Sequence, residues 1–562
     1  MKNKNDIIFN TMLGIIFLTC ITSIVISTGI LVTKNFNEVF SVLGKFGFIE
    51  FVMIILTAII WFMMDTSIDI PFYSDYEQFE KLVLLSKNNP EKMRKKIKIL
   101  CNYERIYIGV ITITVISTLI GIIMINYKSE NIHGLGVIVF ALIGTLCIVF
   151  KTMYIKFEYP NEVTINRQEH PELFNVIDSA IELTNSPQLD EICIVEGANA
   201  GVAFIPDGFG FNGKHVLEIG IQTLKILNEQ ELKSILIHEL AHIYNDDTNI
   251  SSKISRCLIR WSTIIDKVEE KDNIIQSILL LPFAKIYIEK LETYLNAISQ
   301  PEEIAADKEA ALYTSVEVYA KASAKLKIMD LFFKNPYCKV EIRAQEKPPK
   351  NYFNIMFDDF KNEIIERKNQ WLSQIKKQIS SVYDTHPSFS ERMSALGIDN
   401  FNYEIEFEAQ NENYKKEIDR LIDIKNKQWY DCWRDEWEEF TKEYKLQLEI
   451  IEDYKETDDI EKNIEYGFAL EETREYDKAM KVYKKILSID EKCAIAMYRM
   501  GQILLIENDN NGIELTKKAA DLDSELTISA IESIVEYLMD NGMKDKIDEI
   551  EYWFNEKYNV IT

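Results

Sequence analysis

The stretch His238-Glu239-Leu240-Ala241-His242 decides the fold of the middle of this chain, because it lies inside a predicted helix from about 228 to 245. Asn228, with Glu231 three residues later, has the spacing of a capping box at the start of that helix. At 3.6 residues per turn the two histidines face the same way, so both imidazoles can bind one metal ion. Glu239 points towards the same region and can accept a proton from a water on that ion.

A surface helix that merely carries two histidines is the alternative to a metal site. The positions around the motif are apolar, and they are Ile235, Leu236, Ile237, Leu240, Ala241 and Ile243. Such a pattern indicates a buried helix, in which two histidines and a glutamate are costly unless something satisfies them. The surroundings therefore favour the metal site.

A third metal ligand could be one of the four histidines outside the motif or a carboxylate. The long motif with a third histidine is excluded, because Asn245 and Thr248 stand where it needs Gly and His. A carboxylate is the better candidate, and the stretch Glu303-Ile304-Ala305-Ala306-Asp307 places two acids at i and i+4. Glu303 can ligate zinc while Asp307 accepts a hydrogen bond from a ligating imidazole. A solvated helix face is the other reading of this stretch.

The charge of the chain is strongly acidic and unevenly placed. The formal net charge is -26, and the acidic residues crowd into the part after residue 400. Nucleic-acid binding is not expected, because contacts to phosphate need clustered Lys and Arg. The eight cysteines form no CxxC pair, which favours a reducing compartment.

Apolar runs long enough to cross a bilayer occur at about 7–32, 47–64, 106–126 and 135–155. Basic residues crowd into the loop between the second and third runs, which predicts that both termini lie in the cytoplasm. The sequence thus predicts a multi-pass integral membrane protein in contact with the lipid bilayer. A further apolar stretch, Ile274–Ile288, is short for a span and is predicted to be a buried or membrane-surface helix.

Five motifs in a fixed order give the chain a resemblance to a known family. They are Glu169-His170-Pro171-Glu172-Leu173, Asn199-Ala200, the stretch 238–242, the stretch 303–307, and Thr385-His386-Pro387-Ser388 with Glu391-Arg392. In these motifs the chain resembles the HtpX-like and CAAX-prenyl-protease-like zinc metallopeptidases of membranes. The resemblance runs from about 165 to 396 and implies a zincin-type protease domain.

The resemblance also implies roles for individual residues. His238, His242 and Glu303 would hold one Zn²⁺ per chain, with water as the fourth ligand. Glu239 would act as general base and then general acid, and His386 would stabilise the oxyanion near the scissile carbonyl. A second set of residues is assigned to substrate binding. Asn199 and Ala200, together with His215–Ile219, would form the edge with which an extended substrate pairs. Arg392 would either support His386 or pair with a neighbouring carboxylate.

The part after the protease domain is predicted to be helical. An aromatic stripe runs along one helix face, and it consists of Trp429, Trp433, Trp437, Phe440 and Tyr444. The alternatives for this stripe are packing onto the neighbouring domain and peptide binding. Gly467 and Gly501 mark a weak internal repeat that resembles tetratricopeptide repeats, which would offer a surface to a protein partner. A purely structural helical bundle is the other possibility.

The predicted fold class is therefore a multi-domain membrane protein. It combines four transmembrane helices (1–158), a mainly helical α+β zincin-type protease domain with a small sheet (159–400), a charged helical linker (401–455) and C-terminal helical repeats (456–562). The predicted function is that of a membrane-anchored zinc endopeptidase acting on proteins or peptides, membrane proteins among them. The alternative is a membrane scaffold or sensor whose protease-like domain binds partners without catalysis.

Overall fold

A computed structural model describes residues 76–127, 135–154, 163–186, 188–208, 212–244, 250–270, 274–334, 345–380, 386–407 and 410–558. The N-terminal elements are α1 (Tyr76–Asn88), α2 (Pro90–Tyr127), α3 (Leu135–Met153), β1 (Val163–Thr164), α4 (Pro171–Thr184), β2 (Glu191–Val195), β3 (Ala200–Asp207) and β4 (Asn212–Gly220). The central helices are α5 (Ile221–Ile226), α6 (Glu229–Tyr244), α7 (Ile250–Glu269), α8 (Ile274–Tyr313), α9 (Val316–Lys334), α10 (Tyr352–Lys377) and α11 (Phe389–Ala395). The C-terminal helices are α12 (Glu412–Trp433), α13 (Trp437–Asp453), α14 (Ile460–Glu472), α15 (Tyr476–Ile489), α16 (Ala494–Ile506), α17 (Asn511–Leu522), α18 (Thr527–Asp540) and α19 (Lys544–Tyr558), with a 3₁₀ turn at Ser524–Leu526.

The four strands form one small mixed sheet in the order β1-β2-β4-β3. β2 runs parallel to β4, and β3 runs antiparallel to β4, with Ala200 opposite Ile219 and Asp207 opposite Asn212. The stretch His215–Ile219 therefore lies in the interior of the sheet, and its prediction as an edge is wrong. Among the described strands, β3 is the outer strand on that side, because the chain folds back on itself in a hairpin after Asp207.

One hydrophobic core joins the sheet to the helices of the protease region. It includes Leu173, Ile177, Leu217, Ile219, Leu236, Ile237, Leu240, Phe332, Phe353, Phe389, Phe401, Ile418 and Leu421. The last three belong to the segment predicted as part of a charged linker after residue 400. Their packing shows that this segment completes the protease core, since α12 presents an apolar face towards α4 and α10.

The start of α4 depends on the same α12. Pro171 is the first residue of α4, and the preceding His170 makes no side-chain capping bond. The carboxylate of Glu417 instead accepts hydrogen bonds from the backbone N–H groups of Glu172 and Leu173, both at 3.0 Å. A carboxylate at a helix N-terminus satisfies free N–H groups and is favoured by the helix dipole.

A second hydrophobic core is formed by α1, α2, α3, α7 and α8. It includes Leu82, Ile97, Val110, Val149, Met153, Trp261, Phe283, Tyr287 and Leu291. The stretch Ile274–Ile288 is the first part of the long helix α8. Its residues Leu280, Phe283 and Tyr287 are buried in this core, in agreement with the buried-helix alternative. Helix α8 continues through Pro282 and Pro301.

The prediction of four transmembrane helices, and of a multi-pass membrane protein, must be corrected. In the described part of the chain, no helix has both the length and the apolar character needed to span a bilayer. The runs at 106–126 and 135–155 fall largely in α2 and α3. Val110 of α2 and Val149 of α3 are buried in the second core. The runs at 7–32 and 47–64 lie outside the described residues.

The C-terminal helices α14 to α19 pack as consecutive pairs. A Cβ atom on Gly467 would come within 2.6 Å of the Tyr483 ring, so this glycine permits close packing of α14 against α15. Gly501 lies similarly against Thr516 between α16 and α17. The two glycines of the predicted repeat thus share a packing role, while the assignment to tetratricopeptide repeats stays a prediction.

The aromatic stripe packs against the protein itself. Trp437 is buried, its ring lies 5.8 Å from that of Trp429, and its indole N–H donates to the Gln345 carbonyl at 3.0 Å. Trp429 stacks on Tyr352 of α10 at 4.2 Å. The stripe therefore joins α12 and α13 to the protease core, which is the first of its two predicted alternatives.

Candidate metal and catalytic site

Helix α6 carries the two histidines and is capped as its sequence predicts. The Asn228 backbone N–H donates to Glu231 Oε2 at 3.0 Å, and the Glu231 backbone N–H donates to Asn228 Oδ1 at 2.9 Å. His238 and His242 follow one turn apart, with ring centroids separated by 5.0 Å. Both imidazoles face helix α8.

Helix α8 brings the predicted carboxylate to these histidines. Glu303 Oε1 lies 3.2 Å from His242 Nε2, and Glu303 Oε2 lies 3.4 Å from His238 Nε2. One ligand atom from each of the three residues can be chosen so that all lie within 4.8 Å of one another. Ligand atoms about 2.0–2.1 Å from a tetrahedral zinc are separated from each other by ~3.4 Å, so the observed spacing suits that ion.

The polar atoms of the cluster also fit a metal. Glu303 is buried, and its Oε2 atom accepts no hydrogen bond of good geometry within the described part of the chain. His386 Nδ1 and Arg392 Nη2 nevertheless lie 3.0 and 3.7 Å from that oxygen. A buried carboxylate oxygen of this kind is costly unless a cation satisfies it. Two imidazole nitrogens and one carboxylate are also a donor set that zinc accepts.

Asp307, one turn beyond Glu303, orients the first histidine. Its Oδ1 atom lies 3.0 Å from His238 Nδ1, which leaves Nε2 of the same ring facing Glu303. Asp307 is completely buried, and it also accepts two hydrogen bonds from Arg392, at 2.9 and 2.6 Å, and one from the Tyr319 hydroxyl. These donors hold the carboxylate, and through it the imidazole, in one position.

The charges of the cluster shift the pKa values of its members. Burial raises the pKa of Asp307, but hydrogen bonds from His238 and Arg392 outweigh it and lower that pKa to about 2. Burial lowers the pKa of His238, but hydrogen bonds to Asp307 and Glu303 raise it to about 9. The pKa of Glu303 is well below its usual range, since the three histidines around it outweigh its burial. The carboxylates are therefore ionised at neutral pH.

Glu239 and His386 face the cleft beside the three candidate ligands. Burial raises the pKa of Glu239, and the neighbouring histidines only partly oppose this shift. A glutamate with a raised pKa is a better proton acceptor and donor near neutral pH. His386 precedes α11, and 62% of its side chain is exposed. Thr385, the preceding residue of its motif, lies outside the described residues.

The cleft has a volume of about 540 Å³ and runs along the outer strand of the sheet. It is lined by residues 200–204 of β3, by Glu239 and His242 of α6, by Glu303 of α8 and by His386. Ala200 thus lies in the cleft wall. Asn199 precedes it, and the Asn199 carbonyl accepts hydrogen bonds from the Gly220 N–H and the Thr223 hydroxyl, both at 2.8 Å, which fix the start of β3.

Arg392 is in a different place from the other two residues assigned to substrate binding. It is buried against Asp307 on the far side of the metal cluster, so it pairs with a carboxylate, as the alternative for this residue has it. Two further residues of the site carry no sequence signal. Tyr319 reaches Asp307 from α9, and Arg256 of α7 lies 4.9 Å over the Phe204 ring at the cleft wall. Only the tertiary fold brings them there.

The fold and this site define a class: a metallopeptidase with two histidines on one helix and a carboxylate on a second. Residues 167–398 match the family model described as peptidase family M48. That region is therefore similar to peptidase family M48, and its motifs resemble those of the HtpX-like members.

Curated relatives agree with the family match. A "Protease HtpX homolog" of Methanocaldococcus jannaschii is 26% identical over 232 residues, which cover 38% of this chain and 78% of the relative. One from Dictyoglomus turgidum is 26% identical over 275 residues, covering 45% and 81%. One from Pyrococcus furiosus is 27% identical over 183 residues, and the match spans 30% of this chain and 60% of that relative.

Proposed function

We propose that this chain is a zinc-dependent endopeptidase with one Zn²⁺ per chain, held by His238, His242 and Glu303. The observation that carries this proposal is the placement of both Glu303 oxygens at 3.2 and 3.4 Å from the Nε2 atoms of the two histidines. These atoms meet at an open cleft, so a substrate can reach them. A zinc ion held there would supply Lewis acidity and lower the pKa of a bound water to ~7.

Glu239 moves the proton in this proposal. Its carboxylate accepts a proton from the attacking water and then returns that proton to the nitrogen of the leaving amine. Burial raises the pKa of Glu239, which brings it closer to neutral pH and suits both steps. His386 lies at the cleft, where an imidazole N–H can donate to the carbonyl oxygen as negative charge develops on it.

The substrate class follows from the strand beside the site. β4 is paired on both sides within the described sheet, so its backbone is occupied, whereas the outer edge of β3 faces the cleft. An extended peptide can add to such an edge through main-chain hydrogen bonds. We infer that the enzyme acts on extended or unfolded segments of proteins.

Glu239→Gln tests the proposal, because it keeps the shape of the side chain and removes its basicity. The full chain, loaded with zinc, is incubated with an unfolded model protein, and new N-termini and self-cleavage are measured. We expect hydrolysis by the wild type and a loss of at least ~10²-fold in the variant, the lower end of what a general base contributes. Glu229→Gln, the same change at the start of α6, serves as the control and retains activity.

The alternative of a non-catalytic scaffold is separated by the same experiment. Bound zinc with no hydrolysis by either protein, on several unfolded substrates, would favour a binding module. Absence of bound zinc would contradict the metal site itself. A role of the C-terminal helices in recruiting a protein partner stays a proposal, and it predicts that their deletion raises KM for the recruited substrate.

A further inference from the structure

The turn between α18 and α19 contacts residues 377–379, at and just after the end of α10. The backbone N–H of Ile379 donates to the Met539 carbonyl at 3.1 Å. The Gln378 side-chain amide donates to Asp540 Oδ1 at 2.9 Å. The segment that follows α10 is therefore held by the C-terminal helices.

Gly542 shows how close this contact is. Its φ is +68°, a left-handed conformation that favours glycine, and a Cβ atom there would lie 2.4 Å from the Lys377 carbonyl oxygen. The atom in the way belongs to the backbone, so it cannot rotate aside. The two segments of the chain fit together at this point because residue 542 has no side chain.

The same segment is bonded on its other side to α11, the helix that follows His386. The Ser390 hydroxyl donates to the Gln378 carbonyl at 3.3 Å, and the Ser380 hydroxyl donates to Glu391 Oε2. Glu391 also forms a capping box with Ser388, whose backbone N–H donates to Glu391 Oε2 at 2.9 Å. Ser388 is two residues after His386, so these bonds fix the backbone next to the catalytic candidate.

Helix α11 continues the connection into the metal cluster. Arg392, the residue after Glu391, donates two hydrogen bonds to Asp307, and Asp307 orients His238. Hydrogen bonds and short backbone segments together connect the α18–α19 turn, through residues 378–380 and α11, to the imidazole of a candidate ligand.

We propose that the turn at residues 539–542 positions His386 and Arg392, so that Asp540 and Gly542 are positioning residues for the peptidase reaction. This inference rests on the proposed function. The C-terminal helices would then be part of the structure that aligns the catalytic groups, in addition to any partner that they bind. A misplacement of about 1 Å at a catalytic group can cost up to ~10²-fold in rate.

Three substitutions in the full zinc-loaded chain test the inference. Asp540→Ala removes the acceptor for Gln378, whereas Asp540→Asn keeps an oxygen in the same place. Gly542→Ala forces a Cβ atom against Lys377. We expect Asp540→Ala and Gly542→Ala to lower kcat about tenfold with little change in KM, and Asp540→Asn to restore most of kcat.

A matched control separates positioning from loss of stability. Gly467→Ala also introduces a methyl group into a tight contact of the C-terminal helices, but against Tyr483 instead of Lys377. It is expected to lower the melting temperature and to leave kcat unchanged. If Gly467→Ala lowers kcat as much as Gly542→Ala does, the effect is one of stability, and the positioning role is wrong.

Hydrogen exchange supplies a readout that does not depend on activity. Amide exchange of residues 386–396 should become faster in Gly542→Ala and Asp540→Ala, and stay unchanged in Gly467→Ala and Asp540→Asn. Unchanged exchange there in all four variants would overturn the inference even if the wild type is active. An inactive wild type with faster exchange in the first two variants would overturn the proposed function and leave the positioning intact.

Discussion

Two buried clusters in this molecule have nearly the same chemistry. In the protease region, Asp307 accepts hydrogen bonds from Arg392, at 2.9 and 2.6 Å, and from the Tyr319 hydroxyl. In the C-terminal helices, a glutamate takes the place of the aspartate, and the distances from its arginine are again 2.9 and 2.6 Å. Both carboxylates are buried, and each accepts hydrogen bonds from a bidentate arginine and from a tyrosine hydroxyl.

The two clusters differ in what the carboxylate touches next. Glu471 bonds Arg499 and Tyr483, which lie on the neighbouring helices α16 and α15, so its charge serves the packing of that region. Asp307 has in addition an imidazole, His238 Nδ1, at 3.0 Å. A carboxylate, an arginine and a tyrosine are therefore no sign of a functional site by themselves. The histidine that connects them to a cleft makes the difference.

The largest difference between the clusters should appear when each carboxylate loses its charge. Asp307→Asn leaves the buried Arg392 without its charged partner, which costs about 3–5 kcal/mol of stability, whereas Glu471→Gln should cost less because 30% of the Arg499 side chain is exposed. Only Asp307→Asn should weaken zinc binding, by about 10–100-fold, because His238 loses the group that orients it. Zinc titration with a competing chelator and thermal unfolding measure the two effects. Equal zinc affinity in both variants would remove the distinction.

Adding zinc to the metal-free chain should stabilise the cluster around Asp307 and leave the cluster around Glu471 unchanged. A ligand at 100 times its Kd stabilises the state that binds it by about 2.7 kcal/mol. Hydrogen exchange in α6 and α8 should therefore slow on zinc addition, while exchange in α14 to α16 stays the same. Glu303→Gln, which weakens the third ligand, should abolish most of the effect. If exchange slows in α14 to α16 instead, zinc binds near Glu471 and the proposed site at His238, His242 and Glu303 is contradicted.

The pH dependence of zinc binding should distinguish the clusters next. The pKa of His238 is raised to about 9, above the unfolded value of about 6.5, so the metal-free protein holds a proton at neutral pH that zinc must displace. Apparent zinc affinity should rise about tenfold per pH unit up to about pH 9.

The stability of the metal-free fold should change with pH in the opposite direction to zinc affinity. Its stabilisation by protonated His238 is fully present below about pH 6.5 and is lost as the pH rises to about 9. Chemical unfolding of the metal-free chain between these values checks this. Zinc affinity that does not change between pH 6.5 and 9 would contradict the assignment of His238 as a ligand.

The smallest expected effect comes from the two tyrosines. Tyr319→Phe and Tyr483→Phe each remove one buried hydrogen bond to a carboxylate, at a cost of about 1–3 kcal/mol. Zinc affinity should be nearly unchanged in Tyr319→Phe, because Asp307 still accepts from His238. Denaturant unfolding and zinc titration of both variants test this. A large loss of zinc affinity would mean that Tyr319 holds the imidazole directly, from its 3.4 Å distance to Nδ1.

The sequence indicates the grouping of His238, His242 and Glu303 because much of its geometry is local. Residues four apart on a helix share a face, so the pairs His238 and His242, and Glu303 and Asp307, follow from spacing alone. The approach of the two helices to each other came from the family resemblance. The position of Tyr319 and the interior position of β4 depend on long-range pairing, for which spacing gives no information.

The membrane prediction failed for a physical reason. A hydropathy pattern shows that a segment avoids water, and it does not show whether lipid or other helices cover it. Val110 and Val149 lie in apolar runs, yet they are buried in a core that Trp261 of α7 shares. Burial also extends beyond the family match, which ends at residue 398, because Ile418 belongs to the same core as the matched residues.

The carboxylate of Glu417 at the start of α4 has a consequence for synthesis of the chain. It bonds a residue 245 positions earlier in the sequence. At translation rates of 5–20 residues per second, the first turn of α4 waits about 10–50 s on the ribosome before its partner is made. Until then the first turn of α4 lacks this acceptor for its N–H groups, so the core cannot close while the chain is still growing past the His238–His242 motif.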